Sequence, residues 1–171
     1  PIDGIDGSFK KSDLLKKLNE FGIIKEKDQK NDPLSFSVNI WGSGRPLREF
    51  LHVDDLSEAC VFIMKYENDF EPKENKNFHG RKKKSSNRSL NNKMSHAFFN
   101  IGSGEEITIK SLALLIKNIV GFNGKIKFDD SMPDGTIRKL LDTSKINNLG
   151  WKSSISLSVG IKKVYENYTN N

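Results

Sequence analysis

Apolar residues recur at helical spacing early in the chain, where Leu14, Leu15, Leu18 and Phe21 predict an amphipathic helix from Ser12 to Phe21 with Ser12 as its cap. A charged linker, KEKDQKNDP, follows. From Phe36 to Trp41 the period changes to two: Phe36, Val38 and Ile40 alternate with Ser37 and Asn39, the pattern of a half-buried strand. REFLHV, from Arg48 to Val53, predicts a second short strand. Asp55 then reads as a helix cap. Glu58 three residues on completes a reciprocal capping box, and Leu56, Ala59, Cys60, Ile63 and Met64 form the apolar stripe of the helix.

The second half repeats the alternation. AFFNIGSGEEITIKSLALLIKNIVG reads as strand, turn and helix, with Thr108 as cap and Gly121 as stop. KIKF is a short strand. DDSMPDGTIRKLLD is a turn that runs into either a helix or an extended segment. A last helix covers Ser156 to Tyr168, with Val159, Ile161, Val164 and Tyr165 partly apolar. Strands alternating with helices place the chain in the α/β class.

Composition adds limits. A chain of 171 residues suits one domain of ordinary size, and its opening on proline instead of methionine implies a fragment or a processed chain. Hydrophobic content of 35% and a mean hydropathy of −0.58 still allow a core. Cys60 is the single cysteine, which excludes a disulfide framework and fits a reducing, cytoplasmic setting. No long apolar run suggests a membrane partner.

The net charge of +6 points towards nucleic acid until its location is considered. Eight basic residues and one acid lie between Pro72 and Ala97, so this segment carries more than the whole net charge and the remainder is close to neutral. The segment is rich in Asn, Ser and Lys, has little to bury and lacks an aromatic ladder for stacking bases; it reads as a disordered insertion at about 72–97. Nucleic acid is therefore not expected as a partner, although a binding module that uses this insertion on polyanions is the reading from another class. Deleting Lys73 to Lys93 should cost no more than about 1–2 kcal/mol of stability; a larger loss in a denaturant titration would mean that the segment packs.

Two glycine-rich stretches invite a cofactor reading. A dinucleotide cradle needs Gly-x-Gly-x-x-Gly. After Gly42-Ser43-Gly44 come Arg45, Pro46 and Leu47, and Gly102-Ser103-Gly104 runs into Glu105 and Glu106. Neither has the third glycine, Pro46 has no N–H to offer, and the second loop would set carboxylates beside a phosphate. The glycines of the first loop, with Gly135, most simply permit tight turns. A Tyr-x-x-x-Lys pair is also missing: four residues after Tyr66 and Tyr165 stand Phe70 and Thr169, and the chain ends before a fourth residue past Tyr168. No catalytic residue is assigned.

Four stretches together, VNIWGSGRPLREFLHVDDLSEAC, NIGSGEEITIKSLALLI, FDDSMPDGTIRKLLD and LGWKSSISLSVGIKKVYENY, resemble the C-terminal half of the GDP-L-fucose synthases, a family of extended short-chain dehydrogenase/reductases. The third is the most particular to that family; the match runs from about Phe36 to Tyr168 and omits the insertion. The resemblance implies an incomplete Rossmann fold, with residues 1–35 a helix and linker and 36–171 a nucleotide-sugar-binding portion. It further implies an NADP-dependent enzyme that epimerises GDP-4-keto-6-deoxymannose at C3 and C5 and reduces C4, a homodimer when full-length. Another sugar-nucleotide epimerase or dehydratase of the same superfamily is the alternative. NADP and the catalytic residues would belong to the missing N-terminal half, and this chain alone would be inactive. Apolar residues of REFLHV and of the helix after it (Phe50, Leu51, Val53, Leu56, Cys60, Ile63) would then face water.

The resemblance also implies a substrate role for five residues. Trp41 offers a flat apolar face and one N–H. Arg48 has a guanidinium that forks onto a diphosphate, unless it pairs with Asp54 or Asp55 instead. Asp134, turn chemistry on any reading, would accept from ribose hydroxyls or guanine N–H groups. Lys139 would add charge beside the phosphates, with Arg138 its rival, and Lys17 stands on the family helix. The family's usual proline is Ile137 here.

Overall fold

The computed structural model describes residues 10–26, 35–69 and 98–170; the basic insertion and most of the charged linker lie outside them. The described chain is α/β. In order, its elements are α1 (Lys11–Glu20), β1 (Ile23–Lys25), β2 (Phe36–Trp41), β3 (Leu47–Glu49), α2 (Val53–Asp69), β4 (Glu106–Thr108), α3 (Ile109–Ile119), β5 (Lys125–Asp129), β6 (Arg138–Lys139), α4 (Ser144–Asn148) and α5 (Leu157–Asn170). They form two compact units. One takes the residues up to Arg48, 106–139 and those from Ile161 onward; the other takes 49–105 and 140–160.

The first unit contains the alternating strand foreseen from Phe36 to Trp41. This strand, β2, is central in a sheet ordered β1-β2-β5, antiparallel to β1 and parallel to β5. Register pairs Val38 with Ile126, Ile40 with Phe128 and Trp41 with Asp129. A second small sheet runs β4-β3-β6, with β3 and β6 parallel and Arg48 paired with Lys139. In the ambiguous RKLLD segment Arg138 and Lys139 are thus a strand, and no helix begins before Ser144. α3 starts where its side chains dictate: Thr108 Oγ1 accepts from the Ser111 N–H at 3.0 Å, an N-cap bond, and Gly121 at φ +69° ends the helix. Ser12 is not the cap of the first helix: α1 begins at Lys11, so Ser12 lies within the first turn with its hydroxyl on Asp13, and the N-cap position, Lys10, makes no side-chain cap bond.

The second unit centres on Ala59, Ile146 and Trp151, with Leu51, Phe62, Ile63, Phe99 and Ile101 packed around them. Three expectations are corrected here. The REFLHV strand stops at Glu49, and α2 begins at Val53. Residues 98–101 form no strand, although Phe99 and Ile101 pack on this core at a two-residue spacing. Asp55 is not a cap. It is the third residue of α2, 1% exposed, and its oxygens accept from the Ser154 N–H (3.1 Å), the Ser154 hydroxyl (2.9 Å) and the Ile155 N–H (3.0 Å). The local pattern suggested a bond to its own helix end, and a loop one hundred residues away in sequence takes the carboxylate instead. Of the apolar residues expected to face water, Phe50, Val53, Leu56 and Cys60 are exposed, whereas Leu51 and Ile63 pack on the core.

Candidate functional site

β2 delivers Trp41 to the end of the first sheet, where Gly42 extends the ladder by donating its N–H to the Asp129 carbonyl at 2.9 Å. The chain then needs a sharp turn. Gly42 and Gly44 both have positive φ, +81° and +73°, a region that side-chain-bearing residues avoid. Space is as restrictive as conformation: a Cβ on Gly42 would lie 3.5 Å from Asp134 Cα and collide with its carboxylate, and one on Gly44 would strike the Phe128 ring. Two backbone bonds then stitch the loop to the start of α3, from Lys110 N–H to the Gly44 carbonyl (2.9 Å) and from Ile109 N–H to the Pro46 carbonyl (3.0 Å).

Those bonds bear on the phosphate question that the glycines raised. The first N–H groups of a helix attract anions when nothing else occupies them. At α3 the carbonyls of Gly44 and Pro46 and the hydroxyl of Thr108 occupy them. The other glycine pair is equally committed: the Gly104 N–H donates to Glu49 Oε1 at 2.6 Å, and the same carboxylate lies against Gly102, where a Cβ would strike it. Both loops are engaged in internal hydrogen bonds, the first by accepting from the start of α3 and the second by donating to Glu49. No group of three or more potential metal ligands occurs among the described residues.

A cleft of roughly 90 Å³ remains at this end of the first unit, lined by Trp41, Gly44, Pro46, Arg48, Ile109, Pro133, Asp134 and Gly135. It brings together Trp41, Arg48 and Asp134 of the five residues singled out from the sequence. The volume suits a phosphate-sized group and is several-fold below what a whole drug-sized ligand needs, so a larger ligand would rest on the surface around it. Trp41 offers such a surface, being 73% exposed. Arg48, half-buried, spends one N–H on the Leu47 carbonyl at 2.6 Å, which orients the guanidinium and leaves its other donors available. Gly135 sits against it, its absent Cβ 3.3 Å from Arg48 Nη2.

Lys139 is exposed and does not line the cleft, but its register places it beside Arg48 on the neighbouring strand. Its rival is engaged: Arg138 forks onto Glu106 with bonds of 2.7, 2.8 and 3.1 Å. That hydrogen bonding holds the Glu106 carboxyl below its usual range and raises Arg138 further above its own. The two cations paired in register therefore differ in kind from their neighbour, which is already neutralised. Lys17 is outside this constellation; it lies on α1, bonds Glu20 at 2.9 Å and stacks over the Phe21 ring.

Ser43 escaped the sequence reading. It donates its N–H to Asp134 Oδ1 (2.8 Å) and its hydroxyl to Asp134 Oδ2 (2.6 Å), and its Oγ accepts from the Arg45 N–H (3.1 Å). The Ser43 hydroxyl, then its N–H, hold the Asp134 carboxyl below the usual carboxylate range, and the charge of Arg45 acts in the same direction. The signal was present in the sequence as a small hydroxyl residue between two glycines, but its partner stands 91 positions away.

Residues 21–78 match the NAD dependent epimerase/dehydratase family. The chain is 42% identical over 134 residues to GDP-L-fucose synthase 1 of Arabidopsis thaliana, an alignment covering 78% of this chain and 33% of that protein. Among solved structures it resembles a GDP-6-OMe-4-keto-L-xylo-heptose reductase from C. jejuni (36% identity, TM-score 0.66, covering 94% of this chain and 39% of that one). It also resembles MlghC, a GDP-mannoheptose C4 reductase from Campylobacter jejuni with NADP bound (34% identity, TM-score 0.62, 94% and 38%). The chain spans about a third of the length of the curated relatives it matches. No helix among the described residues is long and apolar enough to cross a membrane. With its mixed α/β elements and these relatives, the chain carries, over residues 21–78, a domain of the NAD dependent epimerase/dehydratase family.

Proposed function

We propose that this chain is the sugar-nucleotide-binding portion of a GDP-L-fucose synthase, an enzyme that epimerises GDP-4-keto-6-deoxymannose at C3 and C5 and reduces C4 with NADPH. The observation that carries the reading is the pairing of Arg48 with Lys139 on adjacent strands, beside a phosphate-sized cleft and the open face of Trp41. A diphosphate spreads charge over several oxygens, which suits a forked guanidinium next to a point charge. The indole would cover an apolar face of the base or sugar. Guanosine as the base is supported by the names of the relatives, and NADP as the cofactor by the NADP-bound relative. On this reading NADP and the acid–base chemistry belong to the part of the relatives that the chain does not match, and the full-length enzyme is a cytoplasmic homodimer.

Equilibrium titration of the chain with GDP, GDP-L-fucose and a UDP-sugar tests the proposal. Both guanosine ligands should bind, and the UDP-sugar at least about tenfold more weakly. Equal binding of the uridine ligand would move the chain to another sugar-nucleotide epimerase, and no binding at all would remove the site. With no Tyr-x-x-x-Lys pair to deliver a proton, the chain by itself should oxidise no NADPH in the presence of the keto sugar nucleotide. Measurable turnover would overturn that assignment of the chemistry.

A further inference from the structure

We propose that Glu106 is a positioning residue: by holding Arg138 on one face of the β4-β3-β6 sheet, it sets Lys139 beside Arg48 on the other. The inference rests on the sugar-nucleotide reading of the site and adds the group that chooses between two adjacent cations. β6 consists of Arg138 and Lys139 alone, and both are exposed, so burial does little to fix its register. Paired residues on neighbouring strands share a face, and successive residues alternate between faces. Arg138 therefore shares the face of Leu47, and Lys139 that of Arg48. A slip of one residue would bring Arg138 beside Arg48 instead. The backbone offers little against such a slip: two paired residues, preceded by the bond from the Leu47 N–H to the Ile137 carbonyl at 2.8 Å. Glu106 supplies the discrimination. It stands on β4, on the opposite side of β3 from β6, and its carboxylate accepts from Arg138 at 2.7, 2.8 and 3.1 Å. A guanidinium matches a carboxylate with a planar fork, whereas the Lys139 ammonium could make only a point contact there. The carboxylate thus takes the arginine and leaves the lysine for the other face. The same tie spans the central strand and fastens the two edge strands to each other.

GDP titration of the 171-residue chain in a double-mutant cycle tests this role. Lys139→Ala should weaken binding about tenfold and Glu106→Ala about fivefold, and Glu106→Ala should cost less than about twofold once Lys139 is already alanine. If Glu106 only neutralised Arg138, its removal would free a cation and tighten GDP binding, and the proposal would be overturned. An equal loss in both backgrounds would overturn it as well. Exchanging the pair, Glu106→Arg with Arg138→Glu, keeps the net charge and rebuilds the fork, so affinity should return to within about twofold of the wild type. A second measurement needs no ligand. Amide hydrogen exchange at Leu47 should be slow in the wild type and about tenfold faster in Glu106→Ala, while the Gly42 N–H, bonded to the Asp129 carbonyl in the other sheet, stays protected. Unchanged protection at Leu47 would overturn the register lock. Loss at both amides would mean general unfolding, and the exchanged pair then decides: no recovery of GDP binding in it sinks the proposal. A Leu47 amide that follows Glu106 in a chain that binds no GDP would instead retain the lock and refute the nucleotide reading on which its purpose rests.

Discussion

Arg48→Ala is expected to weaken sugar-nucleotide binding about a hundredfold. The guanidinium is held by the Leu47 carbonyl and lines the cleft, and on the proposed reading its remaining donors meet the phosphates. Losing a charge-assisted bidentate contact costs roughly 2–3 kcal/mol, which is the hundredfold stated. The neighbour in register, Lys139, cannot replace it, since an ammonium on a flexible stem lacks the planar fork. For the same reason Arg48→Lys should recover only part of the affinity. Specificity of the damage is the useful readout. In a chimera that sets this chain in the matching region of the Arabidopsis thaliana relative, Arg48→Ala should raise the KM for the sugar nucleotide and leave NADPH affinity unchanged. Equal loss for both ligands would mean that Arg48 supports the fold and not the substrate.

The second large effect concerns stability. Replacing Asp55 with Ala should destabilise the second unit by about 3 kcal/mol, because the N–H groups of Ser154 and Ile155 lose a buried acceptor. Burial alone would raise the Asp55 carboxyl, but the N–H groups of Ile155 and Ser154 and the Ser154 hydroxyl outweigh it and the net shift is downward. A carboxyl lowered in the folded state favours folding most when it is ionised in both states. Its contribution is therefore complete above the ordinary aspartate range, about pH 4, and disappears as pH falls through the lower folded value. The stability gap between wild type and Asp55→Ala, measured by urea unfolding at a series of pH values, should be widest above about pH 5 and narrow below about pH 4. A gap under about 1 kcal/mol at neutral pH would show that the Asp55 bonds are replaceable.

Elements whose logic is local were legible before any coordinates. β2 follows from its two-residue alternation, α3 from Thr108 and Gly121, and α5 begins one residue after the expected Ser156. Each depends on side chains within a turn or two of one another, and such spacings are written directly in the chain. The candidate residues Trp41, Arg48 and Asp134 were likewise named from sequence, through a resemblance in which their order is enough. What their order left open was partnership. Asp55 has the right neighbours for a capping box, yet burial beside the 154–155 loop gives it three stronger donors. Arg138 and Lys139 are adjacent basic residues with equal claims until strand pairing sends one to Glu106 and sets the other beside Arg48. Ser43 and Asp134 meet only when β2 and β5 lie parallel and carry their following turns to the same end of the sheet. Side-chain spacing reaches a few residues along the chain, whereas these contacts close loops of up to one hundred, so folding alone selected the partners.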